Sequence, residues 1–377
     1  MVKKIQCKDN IASWKIDSPR ERRLAKRADS SEYWKARYVD YYRRNDSEYY
    51  EKGLKMLRHA LEVHLGSENT EQNFEKYYRD MIYSLHRFGA TFDEYFIYGF
   101  ERLNTEGRES FVTDKNRWAL YDQLNLRENL ELFNNKKKAY EHFKAYYGRE
   151  MILIEDGKDL PLFREFTVWH PRFIAKPFNG SGGVGVAIHD LTDYADASLL
   201  FAELTEKGPV VCEELIVQDE RMASFHPLSV NSMRVPTIRV GDEVILFYPY
   251  LRIGCGDEIT DNCAKDRIVA PVDAKTGLMW GTGMDKEHHV RLVHPDTGVV
   301  IPGFQIPRWD ELVELVTKLA KEVPGNHYVG WDIALSVNGW VMIEGNPRGE
   351  LAAVQYTTGK GVKKELDELI RRIRETE

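Results

Sequence analysis

Cysteine is scarce in this chain, and its absence from paired positions excludes a good deal. The four residues present, Cys7, Cys212, Cys255 and Cys263, show no zinc-module spacing and no disulfide framework. No secretory leader opens the sequence, so the expectation is a reduced, cytoplasmic protein. No apolar run approaches the roughly 18 residues that a membrane-spanning helix needs. Positive charge is not in excess either: 53 Lys and Arg against 60 Asp and Glu give a net charge of −7, which argues against a general nucleic-acid binder. There is no internal repeat and no low-complexity tract. No Ser/His/Asp or Cys/His pattern marks a covalent catalyst; His226, His288, His289 and His294 have no spacing that assigns a base, and Cys255 and Cys263 read as small core or loop residues.

What the chain does contain is enough apolar material for two or three domains, at 377 residues and 42% hydrophobic. Its first 44 residues hold 13 Lys and Arg against 6 Asp and Glu, a basic arm on an otherwise acidic chain. A solvated helix face accounts for this, with peripheral contact to a membrane surface or an anionic partner as the alternative. Apolar and aromatic residues recur at helical spacing through 20–104, as in Trp34, Tyr38, Tyr41, Tyr42 and then Leu54, Leu57, Leu61, Leu65. Gly66-Ser67-Glu68-Asn69 interrupts the run and offers a cap for a helix carrying Phe74, Tyr77, Tyr78, Met81, Leu85 and Phe88. Tyrosines so spaced are read as packing rather than as a base-stacking surface.

The most informative stretch is Phe173-Ile174-Ala175-Lys176-Pro177-Phe178-Asn179-Gly180-Ser181-Gly182-Gly183-Val184-Gly185-Val186. A short apolar strand ends in a lysine, a glycine-rich turn follows, and a second strand begins. Such a tip lets backbone N–H groups approach a phosphate with no Cβ in the way, and the lysine adds a point charge. The order excludes the P-loop, whose lysine follows its glycines and opens a helix, and the dinucleotide fingerprint, whose last glycine opens a helix. Taken alone, the stretch is equally an ordinary glycine hairpin. Downstream, Pro209 to Val217 reads as a buried strand containing Glu213-Glu214. The run from Val230 to Ile306 reads as β-rich, with strands at 235–240, 244–253 and 268–272. Tyr328–Val337 and Trp340–Ile343 form a hairpin about Asn338-Gly339. That hairpin brings Asp332 toward Glu344 and Asn346, two carboxylates and an amide oxygen among apolar neighbours, a hard-oxygen set suited to Mg²⁺. The alternative is three polar residues on a solvent face.

A lysine, a glycine lid, a doubled glutamate after a strand and an Asp…Glu-x-Asn hairpin, in that order, resemble the ATP-grasp superfamily. Within it, Ser229-Val230-Asn231-Ser232-Met233-Arg234, Leu251-Arg252-Ile253-Gly254, Asp261-Asn262, His294-Pro295-Asp296-Thr297-Gly298, Tyr328-Val329-Gly330-Trp331-Asp332-Ile333-Ala334 and Ile343-Glu344-Gly345-Asn346 resemble the sugar-transfer-associated group, which is similar to the α-L-glutamate ligases. The chain departs from that group after Asp261-Asn262, where Cys263-Ala264-Lys265-Asp266-Arg267 stands in place of small residues and paired glycines.

The resemblance implies an α+β fold with two subdomains sandwiching ATP. It implies a helical N-terminal extension over 1–110, a pre-lid α/β segment over 111–170, a lid subdomain over 171–225, and a C-terminal subdomain with the metal site and a closing helix over 226–377. It further implies that Lys176 and Lys136 hold the α- and β-phosphates. Lys115 is the rival for the second place, lying 61 residues before Lys176 rather than 40. Gly180, Ser181, Gly182, Gly183 and Val184 would cover the phosphates. Glu213 and Glu214, with Leu215 and Ile216, would hold the adenine, and Glu220 the ribose. Arg234 and Arg252, with Asn262, would serve the transferring phosphoryl group, and Asp332, Glu344 and Asn346 would bind Mg²⁺, or Mn²⁺ in its place. The activity implied is an ATP-dependent ligase joining a small-molecule carboxylate to an amine or a sugar-linked nucleophile through an acylphosphate. A phosphotransferase using the same site, or a nucleotide-binding scaffold docking through the basic arm, are the alternatives.

Overall fold

The computed structural model describes residues 19–45, 47–68, 70–179, 185–257, 267–285 and 289–377. The chain divides into two compact units, one of residues 1–120 with 351–371, the other of residues 121–350 with 372–377.

The first unit is helical. Helices Pro19–Ala28, Glu32–Asn45, Ser47–Leu65 and Glu71–Phe88 lead the chain. The periodic residues read from the sequence enclose one core, with Tyr38, Leu57, Leu61, Phe74, Met81, Leu85 and Phe88 all buried in it. Tyr38 packs on Tyr42 and Tyr83. The tyrosines are therefore packing residues, as their spacing implies. The cap of the fourth helix is Thr70, whose hydroxyl accepts from the Asn73 N–H. Arg108, buried, forks onto both oxygens of Asp80 at 2.9 and 2.7 Å. Segment 351–371 belongs to this unit through Gln355. Its buried amide accepts from the Val112 N–H at 2.8 Å and donates to the Val112 carbonyl at 2.7 Å, replacing a strand's bonds with one side chain.

The second unit carries two antiparallel sheets. The smaller is built from β1 (Met151–Ile154), β2 (Arg172–Pro177), β3 (Ala187–Asp190) and β4 (Val210–Glu214), in the order β1-β4-β2-β3. Helices Leu160–Trp169 and Ala197–Thr205 cover it, and Phe163, Phe166, Phe173, Leu200, Phe201 and Cys212 fill the space between. The larger sheet is built from β5 (Ser232–Val240), β6 (Glu243–Leu246), β7 (Tyr250–Ile253), β8 (Ile268–Pro271), β9 (Gly283–Met284), β10 (Val290–Arg291), β11 (Tyr328–Ser336) and β12 (Gly339–Asn346). Its order is β10-β9-β8-β7-β5-β11-β12, with β6 on β5. Every residue of β11 is buried, and Trp331 is among the largest fully buried side chains, in a core shared with Phe133, Phe143 and Met342. Among the described residues, no helix is long and apolar enough to cross a membrane.

Three local differences from the sequence reading have clear causes. The stretch 244–253 is two strands because Tyr248 takes a left-handed φ of 54° just before Pro249, which breaks the ladder. From its sequence Leu191 to Lys207 reads as one helix, but the α-helix begins at Ala197, where the Asp196 carboxylate accepts from the Ser198 N–H as a cap. In the last hairpin Ser336 pairs with Gly339, so the two-residue turn is Val337-Asn338. The register also shifts after Asp332, which pairs with Glu344, whereas Ile333 pairs with Met342.

Helix Lys136–Tyr147 ends at Gly148, with φ of 57°, where a Cβ would sit 2.5 Å from Val341 Cγ1 on β12. Gly148→Ala is expected to cost at least about 1–2 kcal/mol from the left-handed backbone alone, read as a lowered urea midpoint at unchanged slope. An unchanged midpoint would mean that the helix end relaxes freely.

Candidate active site

Strand pairing alone assembles the centre of the site. Asp332 on β11 lies opposite Glu344 on β12 and opposite Arg234 on β5, and Ser232, two residues from Arg234 and on the same face, lies opposite Arg252 on β7. One row of functional groups therefore crosses four adjacent strands. Asp332 is fully buried, and the Arg234 guanidinium donates to both its oxygens, through Nε to Oδ1 and through Nη2 to Oδ2 at 2.8 Å. Arg252 Nη2 reaches the same Oδ2 at 2.9 Å. Arg252 also donates to the Ser232 hydroxyl from Nε (3.1 Å) and Nη2 (2.8 Å). Arg234 threads between glycines: a Cβ on Gly330 would lie 3.3 Å from its Cδ, and one on Gly349 would lie 3.4 Å from its Nη1.

The electrostatics follow from this row. Burial would raise the Asp332 carboxyl pKa, but the charges of Arg234 and Arg252 outweigh it and hold it below the ordinary range. Glu344 goes the other way: burial and then the like charge of Asp332 raise its pKa. Glu344 keeps solvent-accessible area although protein surrounds its carboxyl. Asn346 follows two residues on, and its Nδ2 donates to Glu344 Oε1 at 3.0 Å. Two facing carboxylates and the Asn346 amide oxygen form a donor set that fits a hard divalent cation. Glu344 and Asn346 are the members that reach solvent, while both Asp332 oxygens are taken by guanidinium N–H groups.

A second cluster links the two sheets. Lys176, on β2, pairs with Glu213 Oε1 on β4 at 2.9 Å. Glu213 Oε2 accepts from Arg149 Nη2 (2.7 Å) and Nε (3.0 Å). Arg149 Nη1 in turn donates to the carbonyl of Met342 on β12 at 2.6 Å and to that of Tyr147 at 3.1 Å. Burial alone would raise the Glu213 pKa; the charges of Lys176 and Arg149 bring it down to about 2. Lys136 opens helix Lys136–Tyr147, capped by Asn135, and its Nζ donates to the carbonyls of Pro177 (3.1 Å) and Phe178 (2.7 Å) at the base of the glycine turn. Burial lowers its pKa, and the neighbouring Lys176 adds to this against the opposing charges of Glu344 and Glu213. Lys115, the rival, lies in the helical unit, where its backbone N–H donates to the Gly89 carbonyl at 3.3 Å.

The remaining positions lie apart from these clusters or outside the described residues. The Glu214 carboxylate accepts from the Glu150 N–H at 3.0 Å. Leu215 and Ile216 follow the end of β4, and Glu220 is exposed at the start of helix Glu220–Ala223. Gly180, Ser181, Gly182, Gly183 and Val184 fall outside the described residues, as does Asn262. Gly185 is described, with φ of 77° and a hypothetical Cβ 2.8 Å from Pro177 Cγ, so the turn's exit requires glycine. Arg149 is the residue sequence reasoning missed. Its only local signal is its place just after the helix-ending Gly148 and before a strand.

A family model described as sugar-transfer associated ATP-grasp matches residues 115–371. No curated protein matches the chain. Among solved structures, the chain is similar to D-alanine-D-alanine ligase from Helicobacter pylori, at 13% identity and a TM-score of 0.42 over 67% of this chain and 64% of that one. It is also similar to L-amino acid ligase from Bacillus licheniformis, at 12% identity and 0.38 over 62% and 49%. A third is N5-carboxyaminoimidazole synthetase from Staphylococcus aureus, at 14% and 0.36 over 61% and 52%. The chain thus spans less than two thirds of each of these proteins, and at such identities and scores the likeness carries no argument about activity.

The ion clusters set a stability signature. Asp332→Ala leaves two buried guanidinium groups without their carboxylate and is expected to cost about 3–5 kcal/mol in a urea melt; a loss under about 1 kcal/mol would mean that the arginines find other partners. Glu213, depressed to about 2 from an ordinary 4.5, contributes stability that is complete above about pH 4.5 and lost as pH falls toward about 2. The destabilisation caused by Glu213→Gln should therefore be larger at about pH 6 than at about pH 3, and an equal loss at both would contradict the charge assignment.

Proposed function

We propose, since this chain belongs to the sugar-transfer associated ATP-grasp family, that it is an ATP- and Mg²⁺-dependent ligase that activates a carboxylate and passes it to an amine or a sugar-linked nucleophile. The observation that carries this reading is the row Glu344–Asp332–Arg234–Arg252 across four strands, with Lys176 presented by the smaller sheet and Lys136 by the first turn of helix Lys136–Tyr147. Carboxylates beside fixed guanidinium groups suit a phosphoryl group in transfer, where catalysis is mostly positioning and charge stabilisation.

Each residue then has a task. Lys136 and Lys176 hold the α- and β-phosphates, and the glycine turn closes over them. Glu344 and Asn346, with Asp332 behind them, hold Mg²⁺, which when bound neutralises charge on the transferring phosphoryl oxygens. Arg234 and Arg252, immobilised by Asp332 and Ser232, present N–H groups that need no reorganisation as charge develops. A substrate carboxylate oxygen attacks the γ-phosphorus, the bond to the bridging oxygen breaks, and ADP leaves. The acylphosphate then takes a nucleophile at its carbonyl carbon and releases phosphate. Glu213 and Glu214, with Leu215 and Ile216, border the adenine, Glu220 the ribose, and Asn262 the acceptor side. A reducing cytoplasm suits the buried thiol of Cys212, which forms no disulfide.

The test is turnover with pooled small carboxylic acids and amines. ADP and inorganic phosphate should appear together, in equal amounts, only when Mg²⁺ and an acid are present, and hydroxylamine added in place of the amine should yield the hydroxamate. Glu344→Ala and Asn346→Ala should lower the rate by at least about a hundredfold. Phosphate retained on an acid-derived product would indicate a phosphotransferase instead, and full biological activity in folded Glu344→Ala would indicate a scaffold.

A further inference from the structure

Lys176, Glu213 and Arg149 make one charged trio, and its members are unequally free. Glu213 Oε1 accepts from Lys176 at 2.9 Å, while Oε2 accepts from Arg149 Nη2 at 2.7 Å and Nε at 3.0 Å. The Arg149 Nη1 hydrogens go to the carbonyls of Tyr147 at 3.1 Å and Met342 at 2.6 Å. Four of the five guanidinium N–H groups are thus engaged with protein. The guanidinium also lies over the Tyr147 ring, 4.9 Å from its centroid. Anchoring on Met342 fixes it to the strand that carries Glu344, two residues further on. The Arg149 side chain is 3% exposed and that of Glu213 6%, against 20% for Lys176. Lys176 is therefore the member that can turn to a ligand, and Arg149 the one that stays.

The charges give this asymmetry a consequence. Burial would raise the Glu213 pKa, but Lys176 and Arg149 bring it down to about 2, so the carboxylate is ionised at neutral pH. Two cations on one anion leave a surplus positive charge. When the Lys176 ammonium leaves for a phosphate, Arg149 remains on Oε2 and Glu213 is still a neutralised, hydrogen-bonded ion pair. Without Arg149 the same movement strands an ionised carboxylate among buried groups, which is costly. Lys176 is then retained by its carboxylate, or Glu213 takes up a proton from solvent. Among the described residues, the other ionisable groups that feel the charge of Glu213 do not substitute. Tyr147 and Cys212 are kept in their neutral, protonated forms by burial, and Lys136 Nζ donates to the Pro177 and Phe178 carbonyls.

We infer that Arg149 is a positioning residue for nucleotide binding, the fixed counter-ion that lets Lys176 exchange the Glu213 carboxylate for a phosphate. The inference rests on the proposed function, in which Lys176 holds a phosphate, and adds to it a residue that acts only through its neighbours.

The test is calorimetric titration of the full chain with a non-hydrolysable ATP analogue and Mg²⁺. Arg149→Met should weaken binding at least about tenfold at about pH 8. The loss should be smaller at about pH 6, because binding to the variant draws a proton onto Glu213. Titrations in two buffers of different ionisation enthalpy should show this proton as a buffer-dependent heat larger than that of the wild type. Arg149→Lys, which keeps the charge, should bind at least about threefold more tightly than Arg149→Met. In the Glu213→Gln background no carboxylate is left behind, so adding Arg149→Met should change affinity less than about twofold. That double variant buries no unpaired carboxylate and decides the matter even where Arg149→Met alone does not fold. Equal affinity of wild type and Arg149→Met, a loss by the same factor at both pH values, or a loss as large in the Glu213→Gln background would overturn the counter-ion role and leave the nucleotide site standing. Absence of binding in the wild type would reject the proposed function, and this inference with it.

Discussion

A single buried carboxylate organises the larger sheet. Asp332 lies at the middle of a strand with no exposed residue, and an ionised group there is tolerated only because Arg234 and Arg252 surround it with N–H donors. The arginines are fixed in return, one between Gly330 and Gly349, the other on Ser232. Their direction follows from that one pairing, which also sets Asp332 opposite Glu344. A pair of buried arginines so constrained is a poor device for stability, since an apolar core would do as well or better. It is a good device for holding positive charge in a fixed direction.

The second constraint joins the sheets. Glu213 is shared by Lys176, on the same smaller sheet, and by Arg149, which also grips the backbone of β12. In this arrangement the Lys176 ammonium has a carboxylate partner already in place, and Lys136 occupies the carbonyls at the base of the glycine turn. Under the proposed function, phosphates compete for these N–H donors with the Glu213 carboxylate and the Pro177 and Phe178 carbonyls.

Much of this was legible in the sequence because it rests on short-range pattern. Strand periodicity located β2, β4, β11 and β12, the glycine turn located Lys176, and the spacing from Asp332 to Glu344 located the facing acids. The bulge after Asp332 was not legible, yet it is what sets Asp332 opposite Glu344, because a one-residue register shift leaves no mark on composition. Arg149 was invisible for a similar reason: its partners lie 64 residues away at Glu213 and 193 away at Met342. Gln355 is the third case, since a lone amide gives no hint that it will bond both backbone groups of Val112. Cys255, read as a small core or loop residue, and His294, to which spacing assigns no role, meet only because β7 and the 294–298 turn fold together.

The central claim is that the row on β5, β7, β11 and β12 and the lysines beside it make one nucleotide–cation site. Calorimetric titration of the purified chain with a non-hydrolysable ATP analogue, with and without Mg²⁺, tests it most directly. One site per chain is predicted, bound at least about tenfold more tightly with Mg²⁺ (about 1.4 kcal/mol) and lost in Lys176→Ala. Binding that is absent, or indifferent to both Mg²⁺ and Lys176, would contradict the account.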